Sequence, residues 1–262
     1  MGSASRSALE AGIAALDAAT GVTLVTGEEL LAAARAVEGN AQLRAMLSDP
    51  TLAPEERAAL VARAFGTLSA TSRSLLAGLA GSRWSNPAQL IDGIEEIAVR
   101  AIARSQAEVD VVGELFAVER AVASDAELEL ALGSKLASGD AKAALVSKLL
   151  QQQGSEATTA IVRHLVRSPR GRRIGAMLRH AAEIVADVAG AIVARVTVAA
   201  PLTPAARTAL ERDLAERMGR SPRIHYVIDP AVLGGVRVRV GDTVIDGTIA
   251  SRLADLRLQL AG

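Results

Sequence analysis

Three separated stretches of this chain recur at one offset, and that recurrence narrows what the chain can fold into more than any other feature. Glu29-Leu30 returns as Glu114-Leu115. Asn40-Ala41-Gln42-Leu43 returns as Asp125-Ala126-Glu127-Leu128. The run from Arg57 to Arg63 returns as Lys142 to Lys148. Each pair lies 85 positions apart; Leu75-Leu76 matches Ile161-Val162 with a slip of one, and Leu90-Ile91 roughly matches Ile174. A constant offset across separate helical segments predicts two copies of one helical bundle.

The local signals agree. Ser3 to Ala19 reads as a first helix with Leu9, Ile13 and Leu16 on one stripe. Thr26-Gly27-Glu28-Glu29 has the form of a capping box opening a second helix, stopped by Gly39-Asn40. Short helices are expected over Ala41–Leu47, Pro54 to Phe65 and Ser69 to Ser82. Asn86-Pro87 places a cap and a first-turn proline before a long helix carrying Ile91, Ile94 and Ile97. That long helix is expected to close the first copy and open the second. Arg172 to Val188 closes the second copy after the turn Ser168-Pro169-Arg170-Gly171. Half of the residues are hydrophobic but only 2% are aromatic, so the cores must be built from Ala, Leu, Val and Ile. Alanine-rich helices can approach closely.

After Gly190 the pattern changes from helical to alternating. Ala191 to Ala199 is β-branched and reads as a strand, Thr203-Pro204 starts a helix to Met218, and Arg223 to Ile228 is a second strand. Asp229-Pro230 breaks it. Val236-Arg237-Val238-Arg239-Val240 then puts valines on one face and arginines on the other. Gly241-Asp242 is a two-residue hairpin turn, Thr243 to Asp246 the return strand. Gly247-Thr248 opens a last helix with Ile249, Leu253, Leu256 and Leu260 at helical spacing. The expected fold is mostly α: two tandem repeats of a helical bundle over 1–105 and 87–190, sharing the long helix, then a small α+β C-terminal domain over 191–262.

The stretch from Asp229 to Leu253, with Val232-Leu233-Gly234-Gly235, the alternating strand, Val244-Ile245-Asp246-Gly247 and Arg252-Leu253, closely resembles the C-terminal signature of the δ subunit of F-type ATP synthases. The mitochondrial member of that family is the oligomycin-sensitivity-conferring protein. In it a six-helix bundle precedes a smaller α/β domain, so residues from about 87 onward resemble a whole ordinary δ subunit. The first 86 or so resemble the additional bundle of the actinobacterial form, here in the version free of a membrane-anchored b-type segment. The Ala-Arg-Tyr-Ala-like opening of the family survives only as Ser5-Arg6-Ser7-Ala8-Leu9.

The resemblance implies a non-catalytic stator component that needs no cofactor. Its partners would be the N-terminal segments of the ATP synthase α subunit, laid into a groove between the first and fifth helices of a bundle, and the C-terminal helix of subunit b. It would sit at the cytoplasmic face of the bacterial plasma membrane without spanning it. Groove residues are sought among the apolar stripes: Leu9, Ile13, Leu16, Leu75, Leu76, Leu79, Ile161, Val162 and Leu165. The signature residues Asp229, Gly234, Gly235, Gly241, Asp246 and Gly247 are expected to be mainly structural.

Other readings are weaker on the residues themselves. The chain has 29 basic and 29 acidic residues and a formal net charge of +0, against the basic excess of nucleic-acid binders. It has no cysteine, which excludes disulfides and thiolate chemistry. No run of about 20 uncharged apolar residues is present to cross a membrane, and the N-terminus lacks the pattern of a secretory signal. His164, His180 and His225 show no metal-ligand spacing and read as surface or internally satisfied histidines. Gly234-Gly235 and Gly241 match no phosphate-binding fingerprint and read as turn glycines. Arg163, Arg167, Arg170, Arg172, Arg173 and Arg179 read as a solvated face before a contact for an acidic partner. Glu95-Glu96 reads as solvated, and the single tryptophan, Trp84, as core or inter-bundle packing. A helical adaptor in an unrelated assembly, or a nucleic-acid binder using the arginine-rich helix, stays open at this point.

Overall fold

A computed structural model describes residues 1–247 apart from 135, 152, 233 and 242. The expected last helix, with Ile249, Leu253, Leu256 and Leu260, lies outside the described residues. The chain divides into a first unit, Met1–Val185, and a second beginning at Ala186.

Helices α1 (Ser3–Ala18), α2 (Leu24–Gly39), α3 (Ala41–Leu47), α4 (Pro54–Ala64), α5 (Ala70–Gly81) and α6 (Pro87–Ser105) come first. They are followed by α7 (Val111–Ser124), α8 (Ala126–Gly133), α9 (Gly139–Leu150), α10 (Glu156–Arg167) and α11 (Ile174–Val188). The first residues of α1 to α6 precede those of α6 to α11, taken in order, by 84 to 87 positions (Ser3 and Pro87, Leu24 and Val111, Ala41 and Ala126, Pro54 and Gly139, Ala70 and Glu156, Pro87 and Ile174).

The repeat extends to individual hydrogen bonds. Asn40 caps α3 by accepting from the Leu43 amide (2.9 Å), and Asp125 caps α8 by accepting from the Leu128 amide (3.0 Å). Glu29 takes the Ser69 hydroxyl (2.6 Å), the Ser69 amide (3.1 Å) and the Ser72 hydroxyl (2.6 Å) at the start of α5. Glu114 takes the Ser155 hydroxyl (2.6 Å) and amide (2.9 Å) at the start of α10. A carboxylate at a helix N-terminus satisfies donors that the helix itself leaves unpaired. This corrects the expected capping box. The helix α2 starts at Leu24, where Thr26 Oγ1 accepts from the Thr23 amide (3.2 Å), and Glu29 serves a different helix.

The long helix α6 holds the first unit together. Leu90, Ile94, Ile97, Ala98, Ala101 and Ile102 are fully buried and Ile91, Val99 and Ala103 nearly so. A helix apolar on most sides must be packed on most sides. Its most extensive partner is α2. Gly27 makes that approach possible: a Cβ there would lie 2.3 Å from Ile102 Cγ1 and 2.9 Å from the Ala98 carbonyl oxygen. Each fully buried leucine or isoleucine contributes about 1.5–3 kcal/mol relative to exposure.

The second unit has β1 (Ile192–Val198), α12 (Pro204–Met218), β2 (Pro222–Ile228), β3 (Val236–Val240) and β4 (Thr243–Asp246). The sheet order is β2-β1-β3-β4. β1 and β2 run parallel (Val196 opposite Tyr226), with α12 between them in sequence, as a parallel pair requires a crossover. β3 lies antiparallel to β1 (Val238 opposite Val196) and to β4 (Val240 opposite Thr243). Thr203 Oγ1 caps α12 by accepting from the Ala206 amide (3.2 Å). Ala194, Val196, Val198, Val238 and Leu214 form the core, while Arg237 and Arg239 face out as the alternation predicts.

Candidate partner-binding groove and the polar seam beside it

The nine residues sought for a groove divide sharply. Leu16, Leu75, Leu76, Leu79, Ile161, Val162 and Leu165 are buried and pack the interior. Only Leu9 and Ile13, on α1, remain half exposed. The inward stripe of α1 is Ser5, Ala8, Gly12 and Leu16, rotated from the stripe expected from its largest residues. Close packing favours the small ones: a Cβ on Gly12 would meet Leu79 Cδ2 at 2.7 Å. α5, packed beside α1, presents Ser74, Ala77 and Gly78 outward, and a Cβ on Gly78 would meet nothing within 4 Å. Leu9 and Ile13 thus stay partly exposed on α1, as do Ser74 and Gly78 on the neighbouring α5.

By the repeat, the counterpart of this α1–α5 shelf is the α6–α10 pair. Shifted by 84 or 85, Leu9 falls on Gly93 or Ile94 and Ile13 on Ile97 or Ala98, all of them buried. α2 lies over Ala98 through Gly27 and also packs against α10. The shelf open on the first copy is therefore covered on the second by the first copy's own helix.

That cover is fastened by a polar seam. His164 on α10 is buried between Arg35 Nη1 on α2, 2.8 Å from its Nδ1, and Glu95 Oε1 on α6, 2.7 Å from its Nε2. Arg170 pairs with Glu95 and with Asp92 (3.0 Å), Arg172 reaches Glu95 (3.3 Å), and Ser168 donates to Glu38. Burial works against ionisation of Glu95, yet His164, Arg170 and Arg172 together hold its carboxyl below the ordinary range. Burial, opposed by Glu95 and reinforced by the charges of Arg35 and Arg170, holds His164 below an ordinary histidine. Burial and the neighbouring charges of Arg167 and Arg163 likewise lower Arg35.

Two expectations are corrected here. Glu95 is buried, not solvated, and the arginines after it in sequence are not a free basic face. Arg170 and Arg172 turn inward to Glu95, Arg179 pairs with the buried Glu119, and Arg167 pairs with Asp140 (2.9 Å). Sequence patterning missed the seam because its members are 129, 69 and 75 positions apart (Arg35 to His164, Glu95 to His164, Glu95 to Arg170). His164 is satisfied internally as expected. His180 lies at the surface 3.7 Å from Glu183, and His225 is buried in the sheet unit. Trp84 is buried, its indole N–H donating to the Leu79 carbonyl (2.7 Å). Among the described residues, no cluster of three or more His, Cys, Asp or Glu could hold a metal ion.

The signature residues of the second unit shape its turns. The Asp229 amide donates to the Val198 carbonyl (2.9 Å), and its carboxylate accepts from the Ala231 amide (2.9 Å). Gly234, Gly235 and Gly241 have φ of 67°, 82° and 55°, values that favour glycine. Asp246 pairs with Arg237 across the hairpin (2.9 Å), and the Gly247 amide donates to the Val236 carbonyl (2.9 Å).

Taken together, the described residues form a helical unit and a small mixed-sheet unit, the class of mostly α proteins with a small α+β domain. Residues 97–260 match the family model described as ATP synthase delta (OSCP) subunit. An ATP synthase subunit delta of Leifsonia xyli subsp. xyli is 48% identical over 264 residues, covering all of both chains. That of Streptomyces griseus subsp. griseus is 39% identical over 271 residues, again covering both chains fully. A chain of the Toxoplasma gondii mitochondrial ATP synthase hexamer aligns with 64% of this chain and 95% of its own, at 22% identity and a TM-score of 0.44. The chain belongs to the ATP synthase delta (OSCP) subunit family, and like that family it is non-catalytic. The family match begins inside α6, so α1 to α5 precede the matched region. No described helix is long and apolar enough to cross a membrane.

Proposed function

We propose that this chain is a peripheral-stalk component that ties the catalytic α/β head of an F-type ATP synthase to subunit b and resists rotor torque, peripherally at the cytoplasmic face of a bacterial plasma membrane. Of the two helical copies, 1–105 and 87–190 sharing α6, the first holds an N-terminal segment of α. The sheet domain, 191–262, holds the C-terminal helix of b. The observation that carries the assignment of the α site is that Leu9 and Ile13 stay partly exposed on α1, next to α5 with Ser74 and Gly78 exposed. An amphipathic helix laid there buries apolar faces on both sides. Since α2 covers the equivalent face of the second copy, the first copy supplies the working groove.

A stator must hold under load. A nanomolar complex stores about 12 kcal/mol, and two linked sites on separate domains reach such retention through effective concentration. The test is calorimetric titration of the full chain with a peptide of the cognate α N-terminus, in wild type and in an Ile13→Asp variant. One saturable site in the wild type, weakened at least tenfold by the substitution, is expected. Two equivalent sites, or no effect of the substitution, would refute the placement. No heat at all, together with failure to co-elute with the intact head, would refute the stator role.

A further inference from the structure

The first and second helical copies share α6, and α2 of the first also touches α10 of the second. His164 sits in that contact with a side-chain exposure of 2%. Its hydrogen bonds fix its protonation. A guanidinium only donates, so Nδ1, facing Arg35 at 2.8 Å, must carry a lone pair. Nε2 then carries the hydrogen and donates to Glu95 at 2.7 Å. The ring is the neutral Nε2–H tautomer, accepting from α2 and donating to α6.

We propose that His164 is a pH-sensitive latch: neutral, it ties α2 to α10 through Arg35, and protonated, it turns Nδ1 into a donor against the guanidinium and releases them. The charges around the ring support that direction. From α2 it faces Arg35, with Glu38 one turn further on and bonded to Ser168. From α6 it faces Glu95, with Asp92 held by Arg170. From the segment between α10 and α11 come Arg170 and Arg172, both on Glu95. On α10 itself Arg163 and Arg167 add positive charge near Arg35, and Asp140 on α9 offsets Arg167. Among the described residues, Glu95 is the one anion in contact with the ring, and it is already shared with two arginines.

The sign follows from linkage. Burial, with the arginine charges, lowers the ring's proton affinity in the closed seam despite Glu95. In an open seam, with Arg35 withdrawn and burial relieved, the ring's proton affinity rises toward that of an ordinary histidine, about 6.5. Above that pH the latch is closed and insensitive to pH. As pH falls below it toward the closed-state value, only the open form takes up the proton, and opening is favoured by up to about tenfold per pH unit. Glu95 stays charged throughout this window, because its carboxyl is held below the ordinary range. Release leaves α2 on α6 and frees the first copy to move about that shared helix. The inference does not depend on the assigned partners.

The experiment is nitrogen-15 imidazole NMR of the full chain across pH 7.5 to 5, paired with amide hydrogen exchange corrected for intrinsic rates. Expected are an unprotonated Nδ1 at pH 7.5, a His164 midpoint below about 6.5, and protection in α2 and α10 that drops several-fold by pH 5.5. His164→Gln keeps an acceptor for Arg35 and a donor for Glu95 without titrating, and its protection should stay flat over the same range. A midpoint at or above the ordinary histidine value, or the same pH dependence in both proteins, overturns the latch. Should the variant fail to fold, the wild-type midpoint and exchange profile decide alone.

Discussion

Trp84 lies so close over Gly93 that a Cβ at that position would come within 2.0 Å of the ring's Cη2 atom. The ring has little freedom to retreat, since it is buried and its N–H is held by the Leu79 carbonyl at 2.7 Å. Gly93→Ala gains about 1 kcal/mol of helix propensity but overpacks a buried contact, which typically costs about 1–3 kcal/mol. A net loss of stability is expected, with red-shifted tryptophan emission in the native state. Urea unfolding followed at Trp84, the only tryptophan, reports both at once. An equally stable variant with unchanged emission would mean that the ring slides aside freely.

The paired carboxylates of the repeat make a matched experiment. Glu29→Ala removes the acceptor at the start of α5, and Glu114→Ala removes the one at the start of α10. Each should cost about 1 kcal/mol, the usual value of a lost cap, and the double variant should show the sum because the sites share no partners. Burial opposes ionisation at both, but the serine hydrogen bonds prevail and hold both carboxyls below the ordinary value of 4.5. The folded state therefore prefers the ionised form. This stabilisation is fully present above about pH 4.5 and is lost as pH falls through the lower folded values. Chemical denaturation between pH 3 and 6 should show acid sensitivity reduced in each alanine variant. Unchanged acid sensitivity would place the acid-labile groups elsewhere.

The repeat, the helical boundaries to within a few residues and the alternation of the last strands were all legible in the sequence, because each is carried by local spacing. Asn40-Ala41-Gln42-Leu43 and Asp125-Ala126-Glu127-Leu128 matched 85 positions apart, and in the structure Asn40 and Asp125 cap equivalent helices. The inward face of α1 was not legible. Its largest apolar residues suggested Leu9-Ile13-Leu16, but tight packing on α5 and α6 selects Ser5, Ala8 and Gly12 for the interface and leaves two large residues at its margin. Nor was the fate of the arginine-rich segment. Nothing near Arg170 in sequence indicates that Glu95, one helix-bundle length earlier, waits in the interior. Solvated-face reasoning assumes that a charge finds water, and here it finds a distant opposite charge.

The repeat also exposes where the second copy is underfilled. A pocket of about 620 Å³ lies among α7, α8, α9 and α10, lined by Val118, Val122, Leu132, Val146, Leu150 and Val162 among others. In the first copy the position equivalent to Leu150, 85 residues earlier, is Phe65, which is buried. Leu150→Phe should extend into this space. Filling a cavity typically adds about 0.5–2 kcal/mol, so a raised melting temperature is expected in calorimetry of the full chain. A lowered one would mean that the ring does not reach the pocket.

Leu9 and Leu76 separate partner binding from folding. Leu76 is fully buried, so Leu76→Ala removes core contacts and should cost about 2–5 kcal/mol. Leu9 is half exposed at the margin of α1, and Leu9→Gln should change stability by about 0.5 kcal/mol or less, as surface substitutions do. If the shelf on α1 and α5 receives an amphipathic helix, the order reverses for binding. Leu9→Gln then loses affinity for the α peptide by several-fold while folding normally. Leu76→Ala, measured at a temperature where it remains folded, retains most of its affinity, because its side chain faces the core and not the partner. Thermal unfolding and peptide titration on the same two variants give the four numbers needed. Equal losses of affinity in both would show that binding follows overall integrity of the bundle, and the shelf would no longer be a distinct site.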